Sequence, residues 1–180
     1  MIRLFLFIFL FMGCQQTVPK PKAQLGLEYP IAQYVVFESS CPYSFAYNQW
    51  ATPKLLSKCG MRVAYPKMKG TLFITYFDLK ESSLDTLFRD FEKRLELFGK
   101  QASRFDESAY ENKDNNVIGS LITLIGDSPS NLHFFGTDSK QHFVTGSLLF
   151  DTAPNYDSLA PAIGYLQQDV RKLLESLRWN

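Results

Sequence analysis

The sequence predicts an α+β fold: a single domain with a largely antiparallel sheet covered by two main helices. Three observations predict it. Two stretches repeat apolar residues at helical spacing, Leu84 to Phe98 and Leu159 to Leu177. The segments around them are β-rich and are joined by connections of hairpin length, too short for parallel crossovers. The order is strands, helix, several strands, helix, which places helices over an antiparallel sheet. The same order is similar to that of PsbP-like or Mog1-like folds. Aromatic residues make up 15% of the 180-residue chain, enough apolar mass for one substantial core and too much for a disordered chain.

The first residues are not fold material. Met1-Ile2-Arg3 carries one positive charge, Leu4 to Met12 is an apolar run, and Gly13-Cys14 follows. A charged start, a short apolar stretch and a small residue at the cut describe a secretory signal. The run would cover only about 14 Å as a helix, against a hydrocarbon core of about 30 Å. A cysteine directly after Gly13 makes the segment look like a lipobox, although Phe11 stands where the usual pattern prefers Leu. The alternative is an ordinary signal peptide with an accidental cysteine. Residues 1–13 are therefore expected to be a lipoprotein signal peptide, Cys14 the lipidation site, residues 14–26 a polar tether with Pro19 and Pro21, and residues 27–180 the globular domain. Gln15 in place of Asp, and no acidic cluster in Gln15 to Val18, point to the periplasmic face of the outer membrane.

Removing residues 1–13 takes only Arg3 from the charge count, leaving 18 basic and 18 acidic residues. Zero formal charge argues against nucleic acid as a partner. Once Cys14 is acylated, Cys41 and Cys59 remain in an oxidising compartment. A structural disulfide worth ~3 kcal/mol is the favoured reading, with free thiols as the alternative. The wide spacing forms no CxxC redox motif.

Along the domain, Arg62 to Tyr65 and Thr71 to Phe77 read as strands, the second apolar on both faces and so expected to be central and doubly covered. The first helix is expected to start at a Ser82/Asp85 variant capping box and to stop at Gly99. Val117 to Ile125, Leu132 to Thr137 and Gln141 to Phe150 read as strands, the last two joined by a short hairpin at Asp138-Ser139-Lys140. The last helix is expected from about Ser158 to Arg178, with Asp157 or Ser158 as N-cap and Pro161 tolerated in the first turn.

Chemistry is sparse. His133 and His142 sit on the two arms of one hairpin, about 10 Å apart along the strand, which is awkward for a shared metal. No GxSxG, P-loop or GxGxxG pattern occurs. The acidic run Phe105 to Asp114 reads as a solvated loop or edge strand, and no base lies near Cys41 in sequence. No catalytic, cofactor-binding or metal-binding residue is nominated, and no cofactor is expected. Tyr65-Pro66-Lys67-Met68-Lys69-Gly70 is the most unusual run. It reads either as a recognition loop with two cations and an exposed Met, or more simply as a strand connection with solvated lysines.

Several segments carry a resemblance together: Leu27-Glu28-Tyr29-Pro30, Cys41-Pro42-Tyr43-Ser44-Phe45, Tyr65 to Lys69, Thr137-Asp138-Ser139 with His142-Phe143, Thr145-Gly146-Ser147-Leu148, Ala153 to Leu159, and the Asp169, Arg171, Leu174 and Trp179 pattern. With them the chain closely resembles the gliding motility lipoprotein GldD family of Bacteroidota. The resemblance implies an envelope lipoprotein required for gliding and accessory to the type IX secretion machinery, not an enzyme. It carries over Cys14 as a site, with Cys41 and Cys59 as a pair, and implies other gliding or type IX secretion proteins as partners. The alternative is an envelope small-ligand-binding protein or enzyme on the same scaffold. The first reading predicts exposed apolar surface without a deep polar pocket; the second predicts convergent polar groups in a concavity.

Overall fold

The computed structural model describes residues 29–180. The signal segment 1–13, Cys14 and the tether 14–26 lie outside the described residues. The elements in chain order are β1 (Tyr34–Phe37), β2 (Tyr43–Asn48), β3 (Thr52–Leu55), β4 (Met61–Tyr65), β5 (Gly70–Asp78), α1 (Leu84–Phe98), β6 (Ala102–Asn112), β7 (Val117–Gly126), β8 (Leu132–Thr137), β9 (His142–Phe150), α2 (Tyr156–Ser176) and β10 (Arg178–Trp179). Seven strands form an antiparallel sheet in the order β3-β4-β5-β9-β8-β7-β6, and β1, β2 and β10 form a smaller one centred on β2. This is the α+β arrangement with a large antiparallel sheet and two helices.

Alternation along β8 shows how the layers arise. Leu132 and Phe134 point to one face, His133 and Phe135 to the other. On the first face, Leu72, Ile74, Phe134, Val144 and Leu148 pack with Ile163, Leu166, Val170, Leu173 and Leu174 of α2. The small sheet lies beside α2 on that face, with Tyr43 of β2 stacked on Tyr76 of β5 at 5.6 Å. On the opposite face, Phe88 and Phe91 of α1 meet Phe135 edge-on at 5.1 and 5.3 Å, and Phe91 also packs with Ile122 and Leu124.

Several local expectations need correction. The strand over Thr71–Phe77 is not covered on both faces: Phe73 is 42% exposed. A helix about 10 Å wide shields only two or three strands spaced ~4.8 Å apart, and α1 sits over β7, β8 and β9. The Ser82/Asp85 box does not form. Ser83 is the N-cap, its carbonyl accepts from the Leu87 N–H at 3.1 Å, and no side chain caps the turn. Helix α2 begins at Tyr156 rather than Ser158, because Asn155 is the N-cap and its side chain accepts from the Ser158 N–H at 3.3 Å. Pro161 therefore lies inside the helix beyond its first turn. The helix also stops at Ser176, so that Arg178 and Trp179 pair with Ser44 and Tyr43 of β2. Of the two readings of the acidic run, solvated loop or edge strand, the second holds from Phe105 through Asn112, which lie in the outermost strand of the large sheet.

Candidate interaction surface

The described chain begins at Tyr29, and its first residues are fixed against α2. The Tyr29 ring packs on Tyr165 at 5.1 Å. The Tyr165 hydroxyl donates to the Pro30 carbonyl at 2.8 Å and accepts from Asn48 Nδ2 at 2.8 Å. Asn48 Nδ2 also reaches Asp169 Oδ2 at 3.0 Å, and the Tyr34 hydroxyl donates to Asp169 Oδ1 at 2.7 Å. Asp169 is buried on the apolar side of α2. Burial raises its pKa above the ordinary 3.8, and the bonds from Tyr34, Asn48 and Tyr65 pull it back only in part. Burial and the same carboxylate push the Tyr34 and Tyr65 phenols up. A buried carboxylate needs such donors to be tolerated at all, and here they come from β1, β2 and β4.

Beside this latch stands an exposed corner. Asn48 turns the chain after β2: its carbonyl accepts from the Ala51 N–H at 2.8 Å and its Oδ1 from the Trp50 N–H at 3.2 Å. Trp50 is thereby thrown outward, 46% exposed, with its indole N–H donating to the Ile31 carbonyl at 3.2 Å. Ile31 is 88% exposed. Lys67 Nζ lies 5.2 Å from the Trp50 ring centroid, in cation–π range. Lys67 belongs to a single 3-10 turn over Pro66–Met68, closed by the left-handed Lys69 at φ 50°, whose N–H donates to the Pro66 carbonyl. The loop expected to expose two cations and a Met does so only in part. Lys67 and Lys69 face out, while Met68 is half-buried against the core.

The remaining nominated residues are dispersed. Cys41 and Cys59 are joined, with their Cα atoms 5.6 Å apart, tying the start of β2 to the turn before β4. The register pairs His133 with Ser147 and Thr137 with Phe143, so His133 and His142 point to opposite faces of the hairpin. His133 is fully buried under Phe98, with Nδ1 2.9 Å from Ser147 Oγ and Nε2 3.0 Å from the Ser130 carbonyl. Burial, aided by the Arg94 charge and opposed by the Ser130 bond, lowers its pKa to about 4. His142 stacks on Trp179 at 5.0 Å, and its Nδ1 is 2.8 Å from the Tyr76 hydroxyl. Asp138 closes the hairpin by accepting from the N–H groups of Lys140, Gln141 and His142. Burial alone would raise its pKa, but those three bonds hold it below the ordinary value. Among the described residues no group of three His, Cys, Asp or Glu side chains is placed to hold a metal. A cavity of about 300 Å³ lies among the hairpin ends, walled by Glu111, Asn116, Ile118, Asp138 and Lys140, where acidic and basic groups are mixed.

Sequence reasoning missed the latch and the corner. Asp169 did leave a signal, since it falls between Leu166 and Leu173 on the apolar stripe of α2. Trp50 and Ile31 left none, because the β1–β2 register alone brings them together.

The sequence profile of the family described as gliding motility lipoprotein GldD matches residues 14–179, starting at Cys14 and running through the described domain to Trp179. No curated protein matches the chain. A match over nearly the whole length shows the family: the chain belongs to the gliding motility lipoprotein GldD family, which implies a role in gliding motility as a lipid-anchored protein of the cell envelope.

Proposed function

We propose that this protein is a noncatalytic accessory of the gliding and type IX secretion machinery, working through contacts with other envelope proteins at the periplasmic face of the outer membrane. In this reading residues 1–13 are removed, Cys14 carries the lipid, residues 14–26 form the tether and residues 27–180 the working domain. The observation that carries it is the family match beginning at the cysteine itself. The disposition of polar groups supports it. Asp169 and His133, two of the buried titratable residues with shifted pKa values, are engaged by Tyr34, Asn48, Ser147 and Ser130 inside the domain. Large apolar side chains stand in solvent instead, including Trp50, Phe105 and Ile118.

Crosslinking and affinity capture of the lipidated protein from intact envelopes test the reading, together with a deletion strain. Recovery of gliding or secretion components, and loss of spreading and of adhesin export, are the expected results. A deletion strain that still spreads and exports, or capture of a bound metabolite without any envelope protein, overturns it.

A further inference from the structure

We propose that the corner formed by Ile31, Trp50 and Lys67 seats on the phospholipid surface that holds Cys14, so that the domain lies against its membrane in one orientation. The proposal rests on the reading of Cys14 as acylated and adds to it a second, non-covalent contact.

The chemistry of the corner fits the lipid interface. An indole, an aliphatic side chain and ammonium groups on long stems are the groups that settle at the level of lipid headgroups. The Trp50 N–H is already satisfied by the Ile31 carbonyl at 3.2 Å, so the ring enters a less polar layer without stranding a donor. Lys67 lies over the ring at 5.2 Å, and Lys69 is exposed on the same turn. Both can reach headgroup phosphates from there. The exposed Asp151 adjoins the turn, its backbone N–H donating to the Lys69 carbonyl at 2.8 Å.

The position of the corner along the chain selects lipid as its occupant. Ile31 follows Tyr29 by two residues, and Tyr29 follows Cys14 by fifteen. Fifteen residue steps reach at most about 50 Å, so Tyr29 is always within that distance of the anchored sulfur. The latch of Tyr165 on Pro30 passes the chain into the domain at this point. Leu55 and Leu56, between Lys54 and Lys58, and Phe73, opposite Arg62, enter the chain farther from Cys14, and three of the other exposed apolar groups lie in different company. Phe105 is flanked by the Arg104–Asp106 pair, Ile118 stands opposite Glu111, and Leu97 follows Glu96 on a helix whose outer side carries Asp90 and Glu92. An anionic lipid surface favours the lysine-bearing corner over these.

Trp50 and Trp179 are the two tryptophans of the chain, so Trp179→Phe leaves Trp50 as sole reporter. The full acylated chain is reconstituted into phosphatidylcholine–phosphatidylglycerol vesicles containing lipids brominated in their acyl chains. Mass spectrometry of the Cys14 peptide reports acylation on the same sample. The expected result is a blue shift and quenching of Trp50 emission, with Trp179 unquenched in Trp50→Phe. Both effects are lost in a protein carrying Ile31→Asp and Lys67→Glu whose far-ultraviolet dichroism is unchanged. Acylated protein whose Trp50 is unquenched, or quenched no more than Trp179, overturns the docking contact and leaves the anchor standing. An unmodified Cys14 overturns the anchor itself and the proposal with it. A photo-crosslinker at position 50 in intact envelopes distinguishes the occupant: lipid adducts support the proposal, and adducts to an envelope protein overturn it.

Discussion

The Tyr34 hydroxyl donates to Asp169 Oδ1 at 2.7 Å, joining two residues 135 positions apart and tying the first strand to the last helix. The bond is charge-assisted when Asp169 is ionised, and Asn48 supplies a second donor to the same carboxylate. Tyr34→Phe removes one such bond and is expected to cost about 1.5–3 kcal/mol. Asp169→Ala removes the shared acceptor of Tyr34, Asn48 and Tyr65 and is expected to cost more, about 3 kcal/mol or above. Urea unfolding followed by tryptophan fluorescence measures both. Equal stabilities for Asp169→Ala and the parent would show that the network contributes nothing.

His133 makes stability depend on acid. Its pKa is about 4 in the fold, driven down by burial, against the ordinary 6.5 once unfolded. Between these values the unfolded chain binds the proton and the folded one does not, so stability falls as pH drops from 6.5 to 4. The full window corresponds to a loss of about 3 kcal/mol. Asp169 acts in the opposite sense. Its raised pKa means the folded chain holds the proton longer, so its contribution falls as pH rises from 3.8 through the folded value. The comparison of parent with His133→Gln in a pH series of urea unfolding isolates the first term. Parallel pH profiles for the two proteins would refute it.

What was legible in the sequence follows from which elements carry their own periodicity. Leu132 to Thr137 alternates between the two faces of a buried strand, and its bounds emerge unchanged. Leu84 to Phe98 announces itself by an apolar face that packs on Phe135 and Phe143. Strand β6 could not announce itself in this way. It lies at the sheet edge and is mostly exposed from Ser103 to Ala109, so its residues show no buried-face alternation. Tyr34 to Phe37 is short and is a strand only because Val36 pairs with Ala46 across the small sheet. The corner depends on the same pairing: Ile31 meets Trp50 through a carbonyl whose position is set by strand register, a relation that no local pattern contains.

The Cys41–Cys59 bond closes a loop of 18 residues that includes all of β2 and β3. A loop of that length contributes about 3 kcal/mol in the chain-entropy model. The bond also joins the two sheets where Tyr43 donates to the Cys59 carbonyl at 2.8 Å, so reduction loosens the small sheet first. The expected outcome is a lower urea midpoint for the protein unfolded under reductant, and the same shift for the Cys41→Ser, Cys59→Ser double variant without it. A midpoint that reductant leaves unchanged would mean that the thiols are already free.

Two glycines should respond to the same substitution with opposite signs. A Cβ on Gly119 would lie 2.4 Å from the Phe135 carbonyl oxygen, a backbone atom held in the β7–β8 ladder. The strands would have to move apart, and Gly119→Ala is expected to cost about 1–3 kcal/mol or more. Gly164, within α2, has no heavy atom within 4 Å of an added Cβ. There alanine narrows the unfolded ensemble and suits the helix, for a gain of about 0.5–1 kcal/mol. For a chain of this size 1 kcal/mol moves the melting midpoint by roughly 2–4 °C. Thermal melts should therefore place Gly164→Ala above the parent and Gly119→Ala well below it. The reverse order would contradict the packing of both α2 and the β7–β8 pair, because the difference depends only on what each added methyl group meets.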